Sequence, residues 1–341
     1  MEKARLIKYL KLAIKIGVTA AIAYLIYRKR DKLGVVFELL GEAHIGWLLL
    51  ALLSFLFSKF ISTFRLQQFL RARGVRLTHG YNIRLYLLGM YYNLFLPGSI
   101  GGDGYKMLVL SRKFEVKKRN LVWAFLLDRI SGVVSLVALL LLMVLFVPYP
   151  EYLPIAEDWL SWFSAALYAS IPLVFLGHFL GTWLFFRRYS KIFLSTSALS
   201  MVVQVFQIVA AFCILQALSG STKLLEYGIL FQLSSIAAVL PITLGGMGAR
   251  EAVFTIGAEW LGTDPGKSLL IGSLFYVITV LSSLMGIYFS YRPDKLESPK
   301  DQFPGDQPKE VPLEAYRKEA RQQAETPSPH DQGMHPSPSD S

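Results

Sequence analysis

The chain has 341 residues, of which 53% are hydrophobic and 17% charged, and its mean hydropathy is +0.43. So little polar surface cannot cover a water-soluble globule of this length, which excludes the soluble classes and makes the bilayer the solvent. The net charge of +11 does not point to nucleic acid, because the basic residues sit in short clusters beside hydrophobic runs, where they serve as topology signals and as partners for anionic headgroups.

The first element is an apolar run at about 8–27 behind a basic start. Lys8, Lys11 and Lys15 interrupt it early and no small-residue cleavage site follows, so the expectation is a retained span rather than a signal peptide. Residues 32–45 mix Phe37, Leu39 and Leu40 with Glu38 and Glu42 and read as an interfacial helix. A second span at 46–64 follows, with Lys59 and Arg65 toward its end, where they read as snorkelling anchors.

Residues 81–112 are hydrophobic but broken at their middle by Leu96-Pro97-Gly98-Ser99-Ile100-Gly101-Gly102-Asp103-Gly104-Tyr105-Lys106. Spans at 120–147, 160–186 and 191–216 come next. The first of these carries Asp128 and Arg129, the second a lone His178 that reads as a packing residue, and the third Gln204, Gln207, Gln216 and the single Cys213. One cysteine can form neither an internal disulfide nor a cysteine-based metal site. A second broken region, 224–262, contains Leu240-Pro241-Ile242-Thr243-Leu244-Gly245-Gly246-Met247-Gly248-Ala249-Arg250, and a last span covers 267–290. The tail, 291–341, holds nine of the sixteen prolines with many Gln, Ser, Asp and Glu, a composition expected to be disordered.

The two broken segments align without a gap: Leu-Pro, a hydroxyl residue, an aliphatic, Gly-Gly, a further Gly and a terminal cation recur at the same offsets. This internal repeat gives the expected architecture, an all-α polytopic membrane protein with about six full transmembrane helices and two broken or re-entrant hairpins in an inverted repeat. The transmembrane domain is expected over 1–290, with halves at about 8–147 and 160–290. Eight complete spans are the alternative. Basic residues on both flanks of the first broken segment, Arg65 to Arg84 and Lys106 to Arg119, assign those flanks to the cytoplasm, as do Arg187, Arg188 and Lys191 for the later turn. The N-terminus and the tail are then cytoplasmic and the protein a multi-pass resident of the cell membrane; Arg28, Lys29, Arg30 and Lys32 run against that rule.

Backbone that leaves helical geometry at membrane depth must face protein or water, so the breaks predict a polar cavity near the midplane. Helix N-termini and the Lys106 and Arg250 charges suit a lipid phosphate there. Charged groups in or beside spans need partners, for example Asp128 with Lys106 or Arg250 and Arg129 with Asp103 or Glu251, and the sequence does not choose among them. Candidate substrate-binding residues are Asn93, Pro97, Gly98, Gly101, Gly102, Asp103, Lys106, Asp128, Arg129, Pro241, Gly245, Gly246, Gly248, Arg250 and Glu251. No metal, cofactor, catalytic residue or nucleic-acid partner is expected. Gly262-Thr263-Asp264-Pro265-Gly266-Lys267-Ser268 misses the phosphate-loop spacing by one residue.

Three stretches carry a resemblance to a known family. Asn93 through Asp103, Leu127-Asp128-Arg129-Ile130-Ser131-Gly132, and Leu240-Pro241 through Arg250-Glu251 resemble the flippase-like membrane family that includes the transmembrane region of bacterial lysylphosphatidylglycerol synthases. That family usually has Arg where Lys106 stands, a change that keeps the charge but loses the bidentate fork. The resemblance implies movement of a phospholipid, most simply an anionic one, or of another lipid-linked amphiphile between leaflets. The residues after the last span are too few for the soluble aminoacyltransferase domain, so no lysine transfer is expected. A membrane enzyme acting on a lipid-linked substrate and a non-transporting scaffold are the alternatives.

Overall fold

The computed structural model describes residues 43–94, 101–114, 116–147, 157–239, 249–292 and 296, all within the unit Met1–Phe303. The expected first span at 8–27, the 32–42 part of the interfacial stretch, the two break segments at 95–100 and 240–248, and the tail from 297 lie outside these residues.

Among the described residues every regular element is a helix. In chain order they are α1 (Ile45–Arg71), α2 (His79–Asn93), α3 (Gly101–Lys113), α4 (Lys118–Val144), α5 (Glu157–Phe185), α6 (Arg187–Ser190), α7 (Phe193–Ala217), α8 (Leu224–Val239), α9 (Ala249–Trp260), α10 (Pro265–Leu284) and α11 (Ile287–Tyr291). Five of them are long and apolar enough to cross a bilayer: α1, α4, α5 from Ser161, α7, and α10 continued through α11. The chain is thus an all-α, multi-pass membrane protein.

Local chemistry sets the helix ends. The Thr78 hydroxyl accepts from the Tyr81 N–H at the start of α2, and the Asp264 carboxylate accepts from the Lys267 N–H at the start of α10, with Pro265 in the first turn. The phosphate-loop look-alike around Gly266 is therefore a helix cap. Gly262, with φ +56°, ends α9 by turning back so that Thr263 N–H reaches the Ala258 carbonyl. Lys223 and Lys267 donate to the Gly262 and Gly220 carbonyls, placing cations on exposed helix C-termini.

Each broken segment folds back on itself and does not cross. In the first, Lys113 lies over the Tyr81 ring, Lys106 over Tyr86, and Gly102 N–H bonds Asn93, so α2 and α3 run antiparallel. In the second, Lys223 meets Gly262, Leu230 faces Gly257, and Arg250 reaches Ser235. With 15 and 13 residues, α2 and α3 reach only about 20 Å each, short of a hydrocarbon core of roughly 30 Å.

The two hairpins enter from opposite ends of the bundle. One end gathers the C-terminus of α1, the N-terminus of α4 and α6, as the contacts of Tyr189 with Phe69 and Arg73 and of Phe186 with Trp123 show. There α2, α3 and α4 form an apolar core around Leu70, Tyr81, Leu110 and Phe125. At the other end, His44 N–H bonds the Ala217 carbonyl, and α7, α8, α9 and α10 form a core around Ile214, Phe231, Phe254 and Phe275. The most extensive helix pairing joins α1 to α7, which hold corresponding places in the two halves. By contrast α5 packs mainly on α4 and α6 and exposes Trp162, Tyr168 and Leu173, an apolar surface suited to lipid.

Candidate functional site

Between the two apolar cores lies a cavity of about 300 Å3, walled by the central turns of α1, α4, α7 and α10 and by the inner ends of all four hairpin helices. Its position follows from the breaks. A hairpin that stops half-way leaves unpaired backbone at mid-depth, and polar groups or water must complete it.

The first hairpin is held by close backbone approach. A Cβ at Gly102 would overlap the Gly89 carbonyl oxygen and sit 2.7 Å from Asn93 Oδ1, so the α2–α3 contact requires glycine. In return, the Asn93 side chain accepts the Gly102 N–H at 2.7 Å, satisfying a donor at the N-terminus of α3. The Lys106 stem crosses the face of Gly89, where a Cβ would come within 2.8 Å of its Cδ. Its ammonium then bonds Asp103 Oδ1 at 2.7 Å and lies over the rings of Tyr86 and Phe125.

Every polar residue of Leu127-Asp128-Arg129-Ile130-Ser131-Gly132 is engaged. Asp128 receives a two-pronged bond from Arg65 of α1, Nε to Oδ1 at 2.8 Å and Nη2 to Oδ2 at 3.2 Å. Arg129 donates from Nε to Asp103 Oδ2, tying α4 to α3. The Ser131 and Ser200 hydroxyls are 2.6 Å apart, and Ser200 also accepts from Arg65 Nη1 at 3.0 Å, which brings in α7. A Cβ at Gly132 would stand 3.2 Å from Arg65 Nη1, and the Gly132 carbonyl accepts from Gln204 Nε2.

Arg250, which occupies the place of Lys106 in the second half, also faces the cavity. Its Nη1 lies 3.5 Å from Ser235 Oγ and its guanidinium 5.3 Å from the Phe275 ring centroid, so both hairpins put a cation against an aromatic ring at the same chamber. Among the described residues, five cationic side chains, Lys59, Arg65, Lys106, Arg129 and Arg250, border it against two carboxylates, Asp103 and Asp128. Gln204, Gln207, Thr279 and Ser283 make a neutral polar wall.

Of the expected site residues, the cavity brings together Asn93, Asp103, Lys106, Asp128, Arg129 and Arg250, with Gly102 packed behind them and Gly101 opening α3. Pro97, Gly98, Pro241, Gly245, Gly246 and Gly248 lie outside the described residues, and Glu251 is described only as part of the α9 backbone. Two expectations are corrected. Asp128 pairs with Arg65, a partner not among the expected ones. Lys59 and Arg65 are not snorkelling anchors: both line the cavity, and Arg65 is only 7% exposed. The reason is the length of α1, which runs to Arg71 and so puts Lys59 at its middle, beyond reach of either surface. Arg129 pairs with Asp103, one of its two open pairings, and the side chain of Glu251, the other, lies outside the described ones.

Tyr92 stands behind the site, stacked on Tyr105 with ring centroids 4.0 Å apart, and His178 packs on Phe193. Among the described residues no group of three or more metal-ligating side chains comes together. No curated protein matches the chain. Residues 12–286 do match the family described as the lysylphosphatidylglycerol synthase TM region, and the chain belongs to that family.

Proposed function

We propose that the protein is a lipid translocase, which carries the headgroup of a phospholipid or another lipid-linked amphiphile through the central cavity while the chains remain in the bilayer. The observation behind this reading is that the inner ends of two hairpins, inserted from opposite ends, border one charged chamber at mid-depth. Such a chamber offers a headgroup the polar surroundings that hydrocarbon denies it, and two similar halves give it two equivalent ways of opening. The excess of cations favours an anionic phosphate group. The basic end of the bundle faces the cytoplasm in this reading, the protein resides in the cell membrane, and no covalent change of the lipid is involved.

The test uses the purified full chain in liposomes carrying a fluorescent phosphatidylglycerol, with transfer read as the rate at which label becomes accessible to an impermeant quencher. Protein-containing vesicles are expected to exceed empty ones, and Asp103→Ala and Arg250→Ala to remove most of that gain while still reconstituting. Transfer identical in wild type, both variants and empty vesicles refutes the proposal. A protein-dependent mass change in the recovered lipid would refute the absence of chemistry.

A further inference from the structure

We propose that the headgroup this cavity carries is hydroxylated, a polyol or a sugar joined through phosphate, with its hydroxyls donating to Gln204, Thr279 and Ser283 and its phosphate on Lys59. The inference rests on the translocase reading above and deepens it by naming the class of headgroup.

The wall that α7 and α10 contribute offers oxygens whose own hydrogens are already spent. Gln204 borders the cavity at 6% exposure, and its Nε2 donates to the Gly132 carbonyl at 3.1 Å. A carbonyl only accepts, so the amide must meet it with nitrogen, which leaves Oε1 as the other end. That oxygen is buried and makes no hydrogen bond among the described residues. The Thr279 hydroxyl donates to the Phe275 carbonyl at 2.9 Å, and the Ser283 hydroxyl to the Thr279 carbonyl at 2.7 Å. A hydroxyl has one hydrogen, so both oxygens are left as acceptors. Gln207, on the same wall, can turn either end of its amide inward. A buried acceptor without a donor is costly, so an occupant that brings donors is favoured over one that brings none.

Lys59 stands at the level of these acceptors. Helices α1 and α7 run antiparallel, with Ser54 bonded to the Phe206 carbonyl and Arg65 to Ser200, which puts Lys59 opposite Val203 and Gln204. The starts of α1 and α10 both lie at the C-terminal end of α7, where His44 bonds Ala217 and Lys267 bonds Gly220, so α10 runs parallel to α1. The Phe55 and Phe275 rings meet with centroids 5.4 Å apart, and one turn further along the two helices come Lys59 and Thr279. Among the described residues the Lys59 ammonium has no hydrogen bond or ion pair, and it lies 4.6 Å from the centroid of the Phe55 ring. A phosphate seated on Lys59 therefore brings the hydroxyls of its ester group to the acceptors. An ammonium headgroup also carries donors, but it sets a like charge beside Lys59. Size agrees, since 300 Å3 falls at the small end of ligand pockets, which run from roughly 300 to 1,000 Å3, leaving room for a compact headgroup but not for acyl chains.

The experiment compares lipids that differ in hydroxyls and in little else. The full chain in phosphatidylcholine nanodiscs is titrated with phosphatidylglycerol and with phosphatidylpropanol, which keeps the phosphate, its single charge and a three-carbon end group but lacks the hydroxyls, and binding is read as a rise in unfolding temperature. Phosphatidylglycerol is expected to bind about tenfold more tightly, as one or two buried hydrogen bonds would give. Gln204→Leu and Thr279→Val, each confirmed folded by its own unfolding transition, should shrink that preference by weakening phosphatidylglycerol alone. Thr279→Val carries the test where Gln204→Leu does not fold. Lys59→Gln should weaken both lipids alike, because both present the same phosphate.

Phosphatidylethanolamine, whose donors sit on an ammonium, is expected to bind more weakly than phosphatidylglycerol, and equal or tighter binding overturns the hydroxyl assignment. Phosphatidylinositol is expected to exceed phosphatidylpropanol too; it assigns a sugar-like ring if it also exceeds phosphatidylglycerol and an open polyol if it does not. Equal affinity for phosphatidylglycerol and phosphatidylpropanol, with phosphatidylglycerol still transferred in liposomes, overturns this inference and leaves the translocase reading standing. Absence of both binding and transfer removes the two together. Displacement of bound phosphatidylglycerol by free glycerol phosphate at equal concentration would overturn the lipid assignment.

Discussion

Gly102 and Gly104 lie two residues apart on α3, and the structure gives them opposite fates. A methyl at Gly102 collides with the Gly89 backbone, whereas at Gly104 nothing stands within 4 Å. Gly102→Ala is therefore expected to destabilise by about 1–3 kcal/mol, as overpacking does, and Gly104→Ala to be neutral or to stabilise by up to about 1 kcal/mol through helix propensity. Thermal unfolding in detergent measures both, and equal effects would contradict the α2–α3 contact. Arg65 and Asp128 allow a sharper separation of roles. Asp128→Ala alone leaves a buried guanidinium without its carboxylate and should cost about 3–5 kcal/mol, while Arg65→Met with Asp128→Leu, which removes both charges, should recover most of that stability. Recovery of stability without recovery of lipid transfer would assign the pair to the headgroup path as well as to the fold. The sequence showed that Asp128 and Arg129 needed partners; it could not choose them, because the choice depends on which turns of α1, α3 and α7 stand at the same depth.

Whole elements were easier to read than their ends. Five apolar runs became spans because length and hydropathy act over twenty residues and tolerate errors of a few positions. The same tolerance misplaced Lys59. An α1 taken to end near residue 64 puts it toward one surface, and an α1 that ends at Arg71 puts it at the centre. The hairpins were legible from proline and glycine, since neither residue continues a helix cheaply, and the repeat of the motif marked both breaks as equivalent. What the sequence could not supply was the choice between folding back and crossing. That choice is made by the antiparallel contacts of Lys113 with Tyr81 and of Gly257 with Leu230. At this scale Asp264 provides a control. As the cap of α10 it is expected to contribute about 1 kcal/mol, so Asp264→Ala should lower the unfolding free energy by that amount and leave lipid transfer intact. A loss of transfer with unchanged stability would mean that the turn around Gly266 is more than a cap.

Among its described residues the molecule has unlike ends, and that asymmetry carries the orientation we propose. At the end where α1, α3 and α5 finish, Arg71, Arg73, Arg76, Arg112, Lys113, Lys117, Lys118, Arg119, Arg187, Arg188 and Lys191 collect in short connections. Among the described residues at the opposite end, Lys223 and Lys267 are offset by Glu226, Glu259 and Asp264, and both lysines already serve helix carbonyls. Short loops rich in Lys and Arg favour the cytoplasmic side, so in the orientation we propose the first hairpin dips in from the cytoplasm and the second from outside. In the translocase we propose, each hairpin would guard the cavity against one aqueous phase, and a headgroup would meet Lys106 from one side and Arg250 from the other. Single cysteines report the orientation directly. On a Cys213→Ala background, Thr222→Cys, exposed in the turn between α7 and α8, is expected to react with an impermeant maleimide in intact cells, and Lys191→Cys, exposed beside α6, only after permeabilisation. The reverse pattern would turn the whole bundle over and exchange which hairpin admits the lipid, while labelling of both sites in intact cells would mean that the two turns share a side, which an odd number of spans between them could not produce and the single crossing of α7 forbids.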